Sequence, residues 1–360
     1  MQQSILTNLG MLIRCDTQNP PRRIDSNHAI FAHINSVLQK AVGFTVNLTD
    51  HGDGRISFFA IRGTPKILFN AHLDTVQVGN GWSREALELT VEDGRAYGRG
   101  ACDIKGAAAV LLALAENTEL PLALLFTTDE EGANSCCVRR YASSMSAEDY
   151  DVVVVAEPTQ CEAILGHRGY LSVLGAFSGE PGHSSEPRGL TDNAIHQACT
   201  WASAAVAYAR TRQQEGNELC FNIGTIGGGS GSNVIAADAN VHWSARVPPG
   251  IDTEAILSSI CKLTEASSQL AWNARFNGPP LPAFGASDAA AEQFCKRNNL
   301  TIGAAVSFWT EAALFSQAGL PAIVLGPGNI EQAHSADEWV DLEQLWLAAG
   351  IYQRLAQENS

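Results

Sequence analysis

The stretches PLALLFT at 121–127 and DVVVVA at 151–156 are apolar at almost every position. A strand without hydrophobic alternation has no solvent face, so strands of this kind belong to a sheet covered on both sides. The neighbouring sequence supplies the cover. Residues 28–41 carry an amphipathic helical pattern and 104–116 an alanine-rich one, with further strands predicted at 55–62 and 66–71. Helices alternating with short buried strands predict an α/β sandwich with substantial parallel pairing. In such sheets chemistry gathers at the carboxyl ends of the strands.

After residue 166 the pattern changes. Residues 168–177 alternate like a half-buried strand, 190–210 read as a helix, and 219–226 and 235–247 read as strands. A second helix at 252–268 and a strand at 271–277 complete a β-α-β-β-α-β order, which predicts a ferredoxin-like unit of about 110 residues. The segment GPPLPAFGASD returns the chain to the first domain, where a strand at 322–326 leads into a Gly/Pro-rich loop. The expected organisation is a first domain in two parts, 1–166 and 279–360, interrupted by an insert at 167–278. The glycine-rich GTIGGGSGSN at 224–233 reads as a loop inside the insert. It lacks the strand–glycine–helix context and the lysine of a phosphate cradle.

Side chains with metal-binding chemistry stand at the ends of the predicted strands. They are His72 and Asp74 in HLDTV, Asp103 in GRGACDIKG, Glu130 and Glu131 in TTDEEG, Glu157 in VVVVAEPT, and His334 in GPGNIEQAHSADE. Hard and borderline divalent cations favour this mixture of imidazole and carboxylate. Two ligands per cation plus one shared carboxylate leave one carboxylate to act as a base and another to orient a ligand.

Alternation puts His72 and Asp74 on one side of the chain, so Asp74 is suited to fix the ring of a ligating histidine. A purely structural His–Asp pair has the same spacing. Asp103, before the alanine-rich helix, fits an N-cap as well as a bridging ligand. Glu130 and Glu131 diverge as neighbours, so one can bind a cation while the other takes a proton from water. A solvated acidic turn has the same sequence. Glu157 ends a buried strand, where a carboxylate needs a cation or a donor. Glu338, four residues after His334, is placed to orient that loop. Each motif alone has a structural explanation, but their recurrence at successive strand ends points to a two-metal hydrolase.

Composition narrows the partners. Against 23 Lys and Arg stand 38 Asp and Glu, a formal charge of −15. That balance argues against nucleic acid, which requires basic stripes. Nine cysteines, dispersed apart from Cys136-Cys137, are not a disulfide framework and suit a reducing compartment. The N-terminus has no signal-peptide pattern, and no run of about 18 apolar residues predicts a membrane span. A cytoplasmic location is expected.

In order and spacing, HLDTV, GRGACDIKG, TTDEEG, AEPT and GPG followed by AHSADE match the M20 family of co-catalytic zinc aminoacylases and peptidases. The chain resembles that family over essentially its whole length, including PGHSS at 181–185. The resemblance implies a zinc-exopeptidase-like α/β sandwich with an inserted ferredoxin-like lid and dimerisation domain. It implies that His72, Asp103 and Glu157 hold one metal and Asp103, Glu131 and His334 the other. Asp74 would orient His72, and Glu130 would be the base. The family uses the lid histidine, here His183, to stabilise the oxyanion, often from the neighbouring subunit of a dimer. Asn233 and Arg246 are candidates for holding a substrate carboxylate, for which the planar fork of arginine is suited. A surface salt bridge is the other reading of Arg246. One departure is DEEGANSCC, which replaces the glycine-rich continuation common after the family's Glu-Glu pair. Cys136 and Cys137 are not expected to be ligands.

Within the family the likeness is greatest to the deacetylases of arginine biosynthesis, on HGDGRISFFAIRGTPKILFNAHLDTV, CDIKGAAA, FNIGTIGGG and SFWTEAALFS. It implies removal of the acetyl group of N-acetyl-L-citrulline, releasing acetate and citrulline. The alternatives are deacetylation of N-acetyl-L-ornithine, then succinyl-diaminopimelate desuccinylase or dipeptidase activity. Outside enzymes, the alternative is a dimeric binding protein that keeps the scaffold. The implied cofactors are two divalent cations per subunit, zinc or cobalt with manganese tolerated, with one or both sites filled. The expected partners are a small N-acyl amino acid and a second copy of the chain, with neither nucleic acid nor membrane.

Overall fold

In a computed structural model the chain forms two compact units. One comprises Met1–Leu165, Ala286–Ala305 and Thr310–Ser360; the other comprises Gly166–Gly285 and Val306–Trp309. The structure describes residues 1–360 apart from 22–23, 133–134, 147, 265–269 and 360.

The first unit is built on a six-stranded sheet. Its strands run in the order Thr45–Asp50, Ile56–Arg62, Leu122–Thr127, Ile67–His72, Val152–Val155 and Ala322–Val324. The last four pair in parallel, and the first two add an antiparallel edge. The strands Ile67–His72, Leu122–Thr127 and Val152–Val155 are buried at every residue, which is why they show no alternation. Helix Lys105–Asn117 is buried throughout residues 105–115. Its alanines let it pack closely against the sheet and against two helices that the sequence analysis leaves unassigned, Gln2–Arg14 and Leu342–Glu358. Three short strands, Thr90–Glu92, Arg95–Tyr97 and Trp339–Asp341, form a separate small sheet.

The second unit has an antiparallel four-stranded sheet in the order Cys220–Gly228, Asp238–Val247, Gly169–Ser178 and Leu270–Gly278. With helices Ala194–Gln214 and Thr253–Cys261 between strands, the order along the chain is the expected β-α-β-β-α-β. Trp201 is wholly buried in its core, donates from Nε1 to the Ile260 carbonyl at 3.0 Å, and packs against Trp243 and Trp272.

Several boundaries differ from the sequence reading for local reasons. The long helix starts at Ala194 because Asn193 caps the amides of Ile195 and His196, and a 3₁₀ turn occupies Pro187–Leu190. The strand expected at 235–247 is two pieces, Val234–Ile235 paired with Gly182–His183, and Asp238–Val247. The strand ending at Gly228 takes in the first glycines of the expected loop. The second helix ends at Cys261, and residues 265–268 of its expected span lie outside the described residues. Among the described residues no helix is long and apolar enough to cross a membrane.

Candidate metal centre

The parallel strands of the first unit each deliver part of one cluster at their carboxyl ends. His72 closes its strand, and its Nδ1 lies 2.9 Å from the backbone carbonyl of Asp74. With Nδ1–H donating to that carbonyl, Nε2, which faces Asp103, is the nitrogen available to a cation. The Asp74 carboxylate, 3.6 Å from the same nitrogen, is engaged elsewhere. It accepts from Asn19 Nδ2 at 2.9 Å and from the amides of Glu131 and Glu130 at 3.0 and 3.3 Å. Asp74 thus orients His72 through its main chain and the Glu130-Glu131 turn through its side chain.

Asp103 stands between two histidines. Its Oδ1 is 3.0 Å from His72 Nε2, and its Oδ2 is 3.2 Å from His334 Nε2. Glu157 Oε1 lies 3.6 Å from His72 Nε2, and Glu131 Oε1 lies 3.1 Å from His334 Nε2. Ligand atoms of His72, Asp103 and Glu157 fall within 4.8 Å of one another, as do those of Asp103, Glu131 and His334. The two triads share Asp103. Glu130 belongs to neither, yet its carboxylate reaches the same distance of His72 and Glu131.

These residues fit a pair of divalent cations. Donor atoms about 2.0 Å from one tetrahedral cation stand roughly 3.3 Å apart, and the four contacts above bracket that spacing. The charges agree. Burial, reinforced by neighbouring carboxylates against the pull of His72, pushes Glu130 and Glu157 well above the usual carboxyl range. Hydrogen bonds to Asp103 and Glu131 raise His334 to about 10. Burial works against the Asp103 carboxylate, yet hydrogen bonds from His334 and His72 hold it below the usual range. Protons bind this acidic cluster together, and cations are the natural replacement for them.

Four further polar or charged residues, none of them singled out as site residues, are buried in the same unit. Asn19 holds Asp74 as described. Arg99 donates to Glu338 at 2.7 Å, an ion pair with both side chains buried. Lys105, inside CDIKGAAA, donates to the Cys15 carbonyl at 2.9 Å, and burial lowers it to about 8. Glu311, in SFWTEAALFS, accepts from Thr127 Oγ1 at 3.0 Å and is pushed by burial up to about 8. The signal for Lys105 is a charged residue opening an alanine-rich helix, and for Glu311 a carboxylate just before the apolar AALF.

His183, Asn233 and Arg246 all belong to the second unit. The Ser184 amide donates to the Asn233 carbonyl at 3.1 Å, so His183 and Asn233 are neighbours on one short ladder. Arg246 stands near the far end of Asp238–Val247, with its guanidinium 4.0 Å from the ring centre of Tyr170. From the Asp238 end, next to His183 and Asn233, to Arg246 is roughly 27 Å at the rise of a strand. Of the cysteines after the Glu-Glu pair, Cys137 is buried, and burial pushes its thiol up. Asp129 accepts the amides of Cys136 and Cys137. Ala133 and Asn134 of DEEGANSCC lie outside the described residues.

Residues 68–358 match the model of peptidase family M20/M25/M40. The chain belongs to this family. It is a hydrolase of amide bonds, from a metal-dependent family. Over 353 residues, 95% of the chain and 94% of the relative, it is 41% identical to an N-acetyl-L-citrulline deacetylase of Xanthomonas campestris pv. campestris. An acetylornithine deacetylase of Edwardsiella ictaluri is 33% identical over 78% of the chain and 77% of its own length. Among solved structures, the aminopeptidase PepT of Bacillus cereus matches with a TM-score of 0.73 at 18% identity, covering 99% of this chain and 98% of that one. An M20 family metallo-carboxypeptidase, Sso-CP2 of Sulfolobus solfataricus, matches with a TM-score of 0.72 at 15% identity over 98% of each chain. These two likenesses establish the M20 fold.

Proposed function

We propose that this M20 hydrolase removes the acetyl group of N-acetyl-L-citrulline, releasing acetate and citrulline, at a centre for two divalent cations. The observation that carries the chemistry is the division of Asp103 between two histidines, with Glu130 beside the triads and outside both. His72, Asp103 and Glu157 would hold one cation and Asp103, Glu131 and His334 the other. Zinc and cobalt suit these N/O donors, and manganese is tolerated. When bound, such cations polarise a carbonyl oxygen and lower the pKa of water from 15.7 toward roughly 7.

Glu130 takes a proton from the attacking water and returns it to the departing amide nitrogen, so that acetate and a free amino group leave. A base must remain within reach of that proton without being a ligand itself, and Glu130, whose amide is held by Asp74, stands close to His72 and Glu131 without belonging to either triad. His183 is the donor proposed for the developing oxyanion. The Arg246 guanidinium lies over the Tyr170 ring and makes no side-chain hydrogen bond or ion pair among the described residues, which leaves its fork available to the substrate carboxylate. Asn233 is the second candidate for the substrate.

The lid geometry favours a homodimer. An acetyl group plus one amino acid extends only roughly 7 Å along its backbone, far less than the span between Arg246 and the His183–Asn233 ladder. One substrate meets both when they come from two copies of the chain. All nine cysteines are free thiols, which supports a reducing compartment such as the cytoplasm.

The choice of substrate rests on the 41% identity to the N-acetyl-L-citrulline deacetylase. The 33% relative supports N-acetyl-L-ornithine as the second reading. A panel of N-acyl amino acids assayed with metal-reconstituted protein separates them. We expect a higher kcat/KM for acetylcitrulline than for acetylornithine at neutral pH. The reverse order at the same metal loading would assign the chain to the acetylornithine reading.

A further inference from the structure

We infer that Glu338, paired with Arg99, is the positioning residue that sets the shared carboxylate of Asp103 and thereby couples the two cation sites. Glu338 is buried to 1% exposure. Its Oε1 accepts from the amides of Cys102 and Asp103, both at 2.9 Å. Its Oε2 accepts from the Gly100 amide at 2.9 Å and from Arg99 Nη1 at 2.7 Å. The remaining amide of the turn, that of Ala101, donates to the Gly98 carbonyl at 3.0 Å. Every amide from Gly100 to Asp103 is therefore tied down. Gly100 itself has φ +85°, and a Cβ there would come within 2.8 Å of Lys105, so the turn has little room for another shape.

Arg99 supplies the countercharge and is held in turn. Its Nη2 lies 3.2 and 3.3 Å from the carbonyls of Gln77 and Val78, and its guanidinium faces the Trp82 ring at 5.1 Å.

The loop that carries Glu338 also carries His334. His334 meets the Asp103 side chain while Glu338 meets the Asp103 amide, so one short segment grips both ends of the shared residue. Two residues of this segment, His334 and Asp337, have φ of 59° and 53°. Such left-handed conformations are strained for residues other than glycine and persist only where the surroundings hold them. Asp337 is pinned by the amide and hydroxyl of Ser83 at 2.9 and 2.7 Å. A displacement of the 100–103 turn moves the carboxylate relative to both histidines at once. Loss of Glu338 should therefore weaken both sites together, unlike loss of a ligand held by one site.

The inference rests on the reading of the cluster as a two-cation centre, and the experiment separates the two. Metal-free protein is titrated with Co²⁺ and followed by calorimetry and by visible absorption, whose bands report the coordination geometry. Glu338→Gln keeps the shape but puts an amide nitrogen where one acceptor oxygen was, so it cannot serve all four donors. In the folded variant we expect Co²⁺ binding weaker by about 10–100-fold at both sites, as for other groups that orient ligands, with altered cobalt bands. Glu338→Gln leaves the Arg99 charge without its partner. The double variant Glu338→Gln/Arg99→Gln removes both charges and should show the same loss if the single variant does not fold. A role confined to folding would lower the Tm and leave affinity and bands as in the wild type, and that result overturns the inference. Wild-type protein that takes up no pair of cobalt ions would instead remove the two-cation reading.

Discussion

His334 Nε2 lies 3.2 Å from Oδ2 of Asp103, while the other oxygen of that carboxyl faces His72 at 3.0 Å. One side chain thus joins residues far apart in the chain, and its removal should not resemble the removal of any other ligand. Asp103→Ala is expected to lower cation content at both sites. Glu157→Gln and Glu131→Gln should each lower it mainly at one. Elemental analysis of the purified variants after equal metal exposure checks this, and equal losses in all three would count against a shared carboxylate.

Metal uptake should release protons. Hydrogen bonds to Asp103 and Glu131 raise His334 to about 10 in the metal-free protein, whereas a ligating imidazole must be neutral. Calorimetric titrations near pH 7 in buffers of different ionisation heat should report proton release on binding, with affinity rising as the pH rises. The metal-free protein should respond in the opposite sense. A histidine whose pKa is raised on folding contributes stability that is complete below its unfolded pKa of about 6.5. That contribution fades as the pH climbs through about 10. The raised carboxyls of Glu130 and Glu157 act in the same direction. The Tm of metal-free protein should therefore fall between pH 6.5 and 10, and less so after reconstitution. A flat profile in both forms would contradict these charge states.

The parts of this site that were legible in the sequence share one property: each is local. A uniformly apolar run followed by a carboxylate or histidine announces both a buried strand and its functional end, as VVVVAEPT does for Glu157. Its partners are another matter. Asn19 meets Asp74 across 55 positions and Arg99 meets Glu338 across 239, and no periodicity connects them. Thr90–Glu92, Arg95–Tyr97 and Trp339–Asp341 are too short to alternate visibly. The Asp74 side chain was expected on His72, but three donors, from Asn19, Glu130 and Glu131, claim it. Only the folded turn brings those amides into reach.

The lid proposal predicts complementation. His183→Ala should lower kcat by about 10²–10³-fold with a smaller effect on KM, because the oxyanion arises only along the reaction path. When it is mixed with an inactive Glu130→Gln variant under subunit exchange, hybrid dimers should regain activity at those sites where an intact Glu130 meets an intact His183. No recovery after exchange has been verified would argue that His183 does not act across the dimer.

The most direct test of the whole account is Glu130→Gln, with turnover of N-acetyl-L-citrulline and metal content measured on the same sample. The substitution keeps the shape of the side chain and removes its ability to take a proton. A general base contributes about 10²–10⁴-fold, and more where it also returns the proton. Turnover should fall by at least that factor while metal content stays near the wild-type value. Near-normal turnover in fully loaded Glu130→Gln protein would contradict the account.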